Sequence, residues 1–305
     1  MLALLAPGQG SQTPGMLAPW LELPGTDERL AGWSETIGLD LATLGTTATA
    51  EEITDTAITQ PLVVAATLLA FEELGKRGLL DGREALTAGH SVGEIAAYAI
   101  AGVISADEAV SLAATRGSEM AKACAVEATG MAAVLGGDEA EVLARLDALD
   151  LIPANRNAAG QIVAAGAVSA LDKLAEDPPE KARVRKLATA GAFHTHYMGS
   201  ALDGYSAAAR KVEAAAPSMT LLSNADGEPV ASADDAMTKL VAQLTKPVRW
   251  DLCTAYLRDG VASPVTAIIE FPPAGTLVGI AKRELRGVPT YVVKTPADLD
   301  GLTDL

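Results

Sequence analysis

In the middle of the chain, segments with the hydrophobic period of strands and segments with that of helices follow one another in a fixed order. That order restricts the fold more than any other feature of the sequence. Four short runs have the composition of strands: MAAVLG, IPANRN, QIVAAG and KARVRKLATA. Two longer segments, DEAEVLARLDAL and AVSALDKLAE, have the period of amphipathic helices. In chain order the elements are β-α-β-β-α-β, the split unit of ferredoxin-like domains. We therefore predict that residues 127–190 form a small ferredoxin-like domain.

The segment before this unit has the features of an α/β body. Residues 2–6 form a short apolar run that ends at a Pro-Gly pair, which predicts a buried strand leading into a loop. A helix is predicted over residues 59–78, with Pro61 in its first turn and a glycine at its end. Ser105 and Glu108 have the spacing of a capping box, which predicts the start of another helix.

The segment after the unit resumes the same alternation. A strand is predicted over residues 220–223, a helix over 232–244 and a strand over 265–271. We therefore predict that residues 1–126 and 191–305 fold together as one α/β body with a parallel sheet, which the small domain interrupts. The cleft between two such units is the default place for a ligand.

The net charge restricts the partners of the chain. With 23 Lys and Arg against 39 Asp and Glu, the formal charge is −16 at pH 7, which excludes a broad surface for nucleic acid or anionic membranes. Cys124 and Cys253 have no metal-binding spacing, as expected for reduced thiols in the cytosol. No apolar run approaches the roughly 18 residues of a membrane span. We expect a soluble cytoplasmic protein that binds neither nucleic acid nor membranes and needs no metal.

The segment AGHSVGE, residues 88–94, carries the strongest chemical signal. Gly89, Ser91 and Gly93 match the G-x-S-x-G nucleophile elbow, in which small flanking residues allow a sharp turn from strand to helix that exposes the serine hydroxyl. The apolar segments on either side, ALTA and EIAAYAI, supply the strand and the helix. The alternative is that Ser91 only caps the following helix, because Ser91 and Glu94 also have capping-box spacing.

A serine nucleophile needs a base with a pKa near neutrality, and the chain has three histidines: His90, His194 and His196. His90 is adjacent to Ser91 in the chain, so its side chain points elsewhere and a structural role is expected. His194 and His196 both lie in GAFHTHYM, where the chain re-enters the body beside the cleft. From the residues alone, the base is one of these two.

Motifs along nearly the whole chain together carry a family resemblance. They are PGQGSQ (7–12), TQP (59–61), GHSVGE (89–94), Arg116-Gly117, TGMAAVLG (129–136), N-x-N-x-x-x-Q-I-V (155–163), GAFH (191–194), Asn224 and PVRW (247–250). In this order they resemble the bacterial malonyl-CoA:acyl-carrier-protein transacylases, free-standing acyltransferases of type II fatty-acid or polyketide synthesis. The resemblance implies an α/β-hydrolase-like body over residues 1–126 and 191–305 with a ferredoxin-like insertion over 127–190, in agreement with the division above.

The resemblance also implies roles for individual residues. Ser91 would be the acylated nucleophile, and His194, which directly follows Ala-Phe as in family members, would be its base. The backbone carbonyl of Gln243 would orient the imidazole, although a neutral group stabilises imidazolium less than a carboxylate does. The backbone N–H groups of Gln9 and Val92 would form the oxyanion hole.

For Arg116 the resemblance implies that the guanidinium binds the free carboxylate of the malonyl group. The alternative from the residues alone is an exposed helical arginine paired with Glu119 or Asp107. Asn more often occupies a turn than a binding site. Three asparagines are therefore weaker candidates for substrate binding: Asn155, Asn157 and Asn224.

The implied activity is transfer of a malonyl group from malonyl-CoA to the phosphopantetheine thiol of acyl carrier protein, by a ping-pong mechanism through an O-malonyl serine. The resemblance implies no cofactor besides these substrates, and we expect a monomer. Carrier proteins are acidic, so docking on this acidic enzyme needs a local basic surface. Residues 181–186, or Lys246 with Arg249, could supply it.

Two other functions stay open. An esterase or thioesterase shares the elbow but should have an acid between the serine and the histidine in chain order. A non-catalytic module that only docks carrier protein would have no reason to combine Ser91, Arg116 and His194.

Overall fold

Two sheets of opposite type organise the chain. The computed structural model describes residues 1–303 and 305. Its strands are β1 (Leu2–Ala6), β2 (Ala85–Gly89), β3 (Thr129–Gly136), β4 (Ile152–Ala158), β5 (Gln161–Ala167), β6 (Ala182–Lys186), β7 (Thr220–Leu222), β8 (Ala267–Glu270) and β9 (Thr290–Val292). One sheet is parallel, with the order β7-β2-β1-β8-β9, and the other is antiparallel, with the order β4-β5-β3-β6. The predicted α/β class, a parallel-sheet body with a separate small domain, is confirmed.

Helices connect the strands and cover both sheets. They are α1 (Thr26–Ile37), α2 (Leu41–Thr46), α3 (Thr56–Lys76), α4 (Gly93–Ile100), α5 (Ala106–Cys124), α6 (Glu139–Asp147), α7 (Val168–Glu176), α8 (Leu202–Ala209), α9 (Ala233–Ala242), α10 (Trp250–Ala255) and α11 (Thr276–Glu284). Each parallel strand pair is joined through at least one helix, as parallel pairing requires.

The central strand of the parallel sheet shows how the body is packed. Every residue of β1, LALLA, is buried, as expected for a strand covered on both faces. Leu2, Leu4 and Ala6 belong to one hydrophobic cluster, which includes residues of α3, α4 and α5. Ala3 and Leu5 belong to a second cluster, which includes residues of α10 and α11. The sheet therefore has helices on both faces, which leaves the ends of its strands to form a site.

The antiparallel sheet has two faces with different partners. Ala132, Val134 and Ile162 pack against α6 and α7 in a cluster of their own. Met131 and Val163, which alternate with them along the strands, join the core cluster of the body. The predicted β-α-β-β-α-β order is present in this segment, while the domain limits at residues 127 and 190 stay a prediction.

The observed helices differ from the predicted ones mainly at their ends. The helix predicted over residues 59–78 is α3, and it begins earlier because the side chain of Asp55 accepts a hydrogen bond from the N–H of Ala57. The capping box of Ser105 and Glu108 is present at the start of α5. Against the expectation from apolar runs, one helix of the described chain, α3, is long and apolar enough to cross a membrane, and 72% of that apolar window is buried inside the protein.

A cleft of about 480 Å³ lies between the body and the antiparallel sheet. The two units touch at β4, where the N–H of Val248 donates to the carbonyl of Ala154 and the N–H of Arg156 donates to the carbonyl of Val248, each at 2.9 Å. Residues from both units line the cleft, among them Gly8, Gln9, Ser91, Arg116 and His194 from the body and Met131, Asn155, Asn157 and Val163 from the sheet.

Candidate active site

The turn from β2 into α4 has the geometry of a nucleophile elbow. Ser91 has a left-handed backbone, with φ 55°. A side chain on Gly89 would put its Cβ 2.0 Å from the carbonyl oxygen of Gly93, and a Cβ on Gly93 would lie 2.2 Å from the carbonyl oxygen of Ala6. Only glycine fits at these two positions because the backbones approach so closely. The tight turn places Ser91 at the wall of the cleft.

The hydroxyl of Ser91 contacts a histidine instead of capping the helix. The first turn of α4 has no side-chain cap, so the capping alternative is wrong. Ser91 Oγ lies 2.7 Å from Nε2 of His194, and Nδ1 of the same ring lies 2.8 Å from the backbone oxygen of Gln243. A carbonyl oxygen can only accept, so Nδ1 carries the proton and Nε2 is free to accept from the serine hydroxyl.

The three histidines lie in different surroundings. His194 is buried, with a left-handed backbone at φ 60°. His196 is exposed, and its ring stacks on Tyr197 with 4.2 Å between the ring centroids. His90 Nε2 lies 2.9 Å from Oδ1 of Asn157 in the small domain. Of the two candidate bases, the structure brings only His194 to the nucleophile.

Arg116 reaches the same point from α5. Its guanidinium is buried, with the residue only 1% exposed. Nη1 donates to Oε1 of Gln60 and Nη2 donates to Oε1 of Gln243, each at 2.7 Å, and Nη2 also lies 3.4 Å from Ser91 Oγ. Both close partners are neutral amides, which leave the positive charge of the guanidinium uncancelled. A buried cation beside a nucleophile is suited to a substrate with a carboxylate.

The alternative in which Arg116 forms a surface ion pair is wrong. Asp107 pairs with Arg29 at 2.7 Å, and Glu119 pairs with Lys122 at 2.6 Å. Arg116 lies between these two positions in the sequence, on the buried face of α5, and neither carboxylate is a partner of its guanidinium. The next residue is a glycine whose Cβ would lie 2.6 Å from the carbonyl of residue 56, so it allows α5 to approach α3 closely.

Burial and the charge of Arg116 both act on the base. Burial is the larger cause and Arg116 the second, and together they lower the pKa of His194 to about 3. The imidazole is therefore neutral at physiological pH, with Nε2 ready to accept a proton. A negative group bound to the guanidinium would offset the second cause and make the imidazole more basic.

The predicted oxyanion donors, Gln9 and Val92, both line the cleft beside Ser91. Within residues 1–303 and 305, neither backbone N–H donates a hydrogen bond to the protein. The loop that carries Gln9 is held by its side chain, whose Oε1 accepts from the hydroxyl of Thr56 at 3.0 Å. Free N–H groups beside a nucleophile are what a developing oxyanion needs, and this role for the pair stays a prediction.

Comparison with known proteins decides the family. A family profile described as acyl transferase domain matches residues 4–295. The chain belongs to the acyl transferase family. It is 79% identical over 291 residues to the malonyl CoA-acyl carrier protein transacylase of Mycolicibacterium smegmatis, across 95% of this chain and 100% of that protein. The crystal structure of MCAT from Mycobacterium tuberculosis is 70% identical with a TM-score of 0.97, and the match covers 99% of each chain.

A more distant acyl transferase has the same fold. It is the structure described as PlMCAT:AntF, a type II PKS acyl-carrier protein in complex with its malonyl-transacylase, with 28% identity, a TM-score of 0.91 and coverage of 99% of each chain. The family resemblance that the motifs predicted is confirmed, and so is the prediction that the chain is an acyltransferase enzyme.

The three asparagine candidates of this acyl transferase take two different positions. Asn155 and Asn157 lie on β4 and line the cleft. Asn224 lies behind the elbow, where its Oδ1 accepts from the N–H of Ser91 at 2.8 Å and its Nδ2 donates to the carbonyl of Gly89 at 2.7 Å. This position favours support of the nucleophile over contact with substrate.

Two further buried residues belong to the site, although no motif in the sequence predicts a role for them there. Gln60 holds Arg116, and Glu94 accepts hydrogen bonds from the N–H of Asn224 at 2.6 Å and from Nε2 of Gln243. Gln60 lies in the long buried part of α3, and Glu94 is the one charged residue of the apolar helix α4. That pattern is the signal that could have found them, because a buried polar side chain requires a partner.

Other expectations concern what the enzyme binds or needs. Among residues 1–303 and 305, no three side chains of His, Cys, Asp or Glu are grouped so as to hold a metal ion. The absence of a cofactor, the cytoplasmic location and the monomeric state stay predictions.

Proposed function

We propose that this enzyme transfers a malonyl group from malonyl-CoA to the phosphopantetheine thiol of an acyl carrier protein, through an O-malonyl intermediate on Ser91. One observation carries the proposal: Ser91 Oγ lies 2.7 Å from Nε2 of His194 and 3.4 Å from Nη2 of Arg116. A nucleophile, a base and a buried cation together suit an acyl group that has its own carboxylate. Relatives named malonyl CoA-acyl carrier protein transacylase, at 79% and 70% identity, support this substrate.

In the first half-reaction, Ser91 Oγ attacks the thioester carbonyl of malonyl-CoA and its proton passes to Nε2 of His194. The C–O bond forms while the carbonyl oxygen becomes an oxyanion, which the N–H groups of Gln9 and Val92 stabilise. The intermediate collapses, the C–S bond breaks, and the CoA sulfur leaves with the proton from His194. The carbonyl of Gln243 keeps the imidazole oriented through both proton transfers.

In the second half-reaction, the phosphopantetheine thiol of the carrier protein takes the place of CoA. Its proton passes to His194, its sulfur attacks the ester carbonyl, and the bond to Ser91 Oγ breaks as the serine regains a proton. CoA leaves before the carrier thiol enters, so the two substrates share one binding position in turn. This order defines a ping-pong mechanism.

The carboxylate of the substrate gives selectivity and also assists the base. Bound to Arg116, it offsets the positive field that lowers the pKa of His194, so the imidazolium formed during attack is less costly. An acetyl group leaves the buried guanidinium unpaired, a penalty of about 2–5 kcal/mol for a missing partner, or roughly 30-fold to several thousandfold in rate. Malonyl transfer should therefore be strongly preferred over acetyl transfer.

For the carrier protein, the exposed basic strand β6 is the better of the two predicted docking surfaces. Arg183 and Arg185 are exposed on this edge strand, and among the described residues neither makes an ion pair. At the other surface, Arg249 is already paired with Asp251 at 2.8 Å. Free arginines on an exposed edge are available to an acidic partner, which must dock and leave once in each cycle.

Labelled malonyl-CoA tests the proposed function directly. Wild-type enzyme should acquire stable label and pass it to phosphopantetheine-bearing carrier protein when that protein is added. The Ser91→Ala variant should fold and acquire none. Rapid release of free malonate without carrier protein would instead establish an esterase or thioesterase. Binding of carrier protein without any labelling of the wild-type enzyme would establish a docking module.

A further inference from the structure

Glu94 is a buried carboxylate that the proposed mechanism does not use. It lies in the first turn of α4, three residues after the nucleophile, and is 1% exposed. Its Oε1 accepts from the backbone N–H of Asn224 at 2.6 Å, and its Oε2 accepts from Nε2 of Gln243. A carboxylate is rarely buried without a specific reason, because its desolvation is costly. Its partners lie in the active site, so the reason should be found there.

The carboxylate determines which way the side-chain amide of Gln243 points. The amide nitrogen donates to Glu94 and also to the carbonyl of Ser91 at 3.1 Å, while the amide oxygen accepts from Nη2 of Arg116 at 2.7 Å. An ionised carboxylate only accepts and a guanidinium only donates. Of the two orientations of the amide, only the observed one satisfies both neighbours.

Through this single glutamine, Glu94 is connected to both halves of the chemistry. The backbone oxygen of Gln243 holds Nδ1 of His194, and the side-chain oxygen of the same residue holds Arg116. The position of the base and the position of the carboxylate-binding cation therefore depend on one residue. Glu94 also places a negative charge behind the amide, so it lessens the cost of the buried guanidinium without occupying the side that faces Ser91.

We infer that Glu94 is a positioning residue for acyl selection: by fixing the Gln243 amide, it holds Arg116 in the orientation that favours carboxylated acyl groups over uncharged ones. The inference rests on the proposed function, in which Arg116 binds the malonyl carboxylate. It assigns to the side chain of Gln243 a part that the sequence resemblance gives only to its main chain.

The test is the Glu94→Gln variant, assayed for the ratio of kcat/KM with malonyl-CoA to kcat/KM with acetyl-CoA. A glutamine keeps the size of the side chain, but it has one acceptor oxygen for two donors, the N–H of Asn224 and Nε2 of Gln243. The backbone N–H cannot turn over, so the remaining oxygen faces it and the introduced NH₂ group faces the NH₂ group of Gln243. If the Gln243 amide turns over in response, it presents its NH₂ group to Arg116, which loses an acceptor. We expect malonyl transfer to fall about 10- to 100-fold and the malonyl-to-acetyl ratio to fall about tenfold.

A matched control separates this role from general support of the fold. Glu270 is also fully buried, and its oxygens accept from the N–H groups of Leu277 at 3.0 Å and Val278 at 2.7 Å, with no contact to Gln243 or Arg116. Glu270→Gln makes the same chemical change and should lower thermal stability while the ratio stays within about twofold of wild type. An equal fall of the ratio in both variants would overturn the inference.

A second variant covers the case in which Glu94→Gln does not fold. Combining Glu94→Gln with Gln243→Glu restores a donor facing an acceptor, but places a carboxylate directly on Arg116. The malonyl-to-acetyl ratio should stay low, because the guanidinium is already paired. A wild-type ratio in either variant overturns the inference. The proposed function fails separately, if wild-type enzyme is not labelled at Ser91.

Discussion

The body and the small domain face the same cleft but contribute to it in different ways. The body supplies the groups to which we assign the reaction, which are buried or half-buried and connected by hydrogen bonds: Ser91, His194, Arg116 and Gln243. The small domain supplies part of the cleft wall and an exposed basic strand, β6. Chemistry requires fixed distances, which burial gives. Docking of a partner that must leave again requires solvated charges, which an exposed edge gives.

The largest effect should follow loss of the base in the body. His194→Ala should lower the rate of acylation roughly 10³-fold or more, because nothing else accepts the serine proton. His196→Ala is the matched control, since this exposed histidine lies two residues further on. The acylation rate of this variant should stay within about threefold of wild type. Single-turnover labelling measures both. Equal losses in the two variants would contradict this expectation, because burial beside Ser91 would then give His194 no special role.

The next effect should follow loss of the cation. Arg116→Ala removes the partner of the malonyl carboxylate and also the unpaired charge that disfavours acetate. Malonyl transfer should collapse, while acetyl transfer should hold or rise, so that a preference of roughly 30-fold to several thousandfold is lost. The values of kcat/KM with malonyl-CoA and with acetyl-CoA measure this loss. If both kcat/KM values fall by the same factor, Arg116 supports the helix and does not select the acyl group.

The pH dependence of acylation should depend on the buried carboxylate of Glu94. Burial raises the pKa of Glu94 to about 7 and lowers that of His194 to about 3. Below pH 7 the wild-type acylation rate should fall toward the Glu94→Gln rate, because protonated Glu94 no longer fixes the Gln243 amide. The variant should show no such decline down to about pH 5, since His194 stays neutral there.

Other titratable groups face Glu94 but should not produce this decline. Arg116 stays protonated, while burial raises the pKa values of Tyr98, Tyr205 and Cys253 and so keeps them neutral. Stability should change in the opposite direction to activity for Glu94. Its folded pKa exceeds the unfolded one, so its contribution to stability is present below about pH 4.5 and is lost as pH rises through 7. If the acylation rate of the Glu94→Gln variant falls below pH 7 by the same amount as that of wild type, the group that titrates is His194 and not Glu94.

The smallest effect should come from the small domain. Reversing both exposed arginines of β6, with Arg183→Glu and Arg185→Glu, should raise the KM for carrier protein about 5- to 20-fold at low salt. Acylation by malonyl-CoA should be unchanged, since these side chains do not line the cleft. Lys246→Glu serves as the control at the other predicted surface. A larger KM change at Lys246 would move the docking site onto the body.

Features set by neighbouring residues could be predicted from the sequence. The strand–helix order of the small domain follows from hydrophobic period, and the elbow follows from the two glycines that flank Ser91. The choice of His194 over His196 came only from the resemblance, because two histidines in one loop have no local pattern that separates them. α3 begins earlier than the apolar run predicts, since its cap comes from Asp55, before that run.

The network behind the elbow could not be predicted in the same way. Glu94 and Gln243 are 149 residues apart, and their contact depends on how α4 and the segment after α9 pack on the sheet. In the sequence, Ser91 and Glu94 have the spacing of a capping box, which predicts that Glu94 contacts its neighbour Ser91. The structure gives it distant ones, Asn224 and Gln243, because α4 is buried and the carboxylate cannot reach solvent.

We propose that the reaction passes through an ester on Ser91, and the position of the acyl group can be measured. Enzyme mixed with malonyl-CoA is quenched in acid, digested and examined by peptide mass spectrometry. We expect one malonyl group on the peptide that contains Ser91, lost when holo carrier protein is added before the quench, and absent from the Ser91→Ala variant. Transfer to carrier protein at the wild-type rate by Ser91→Ala, or a malonyl group on another residue, would contradict it.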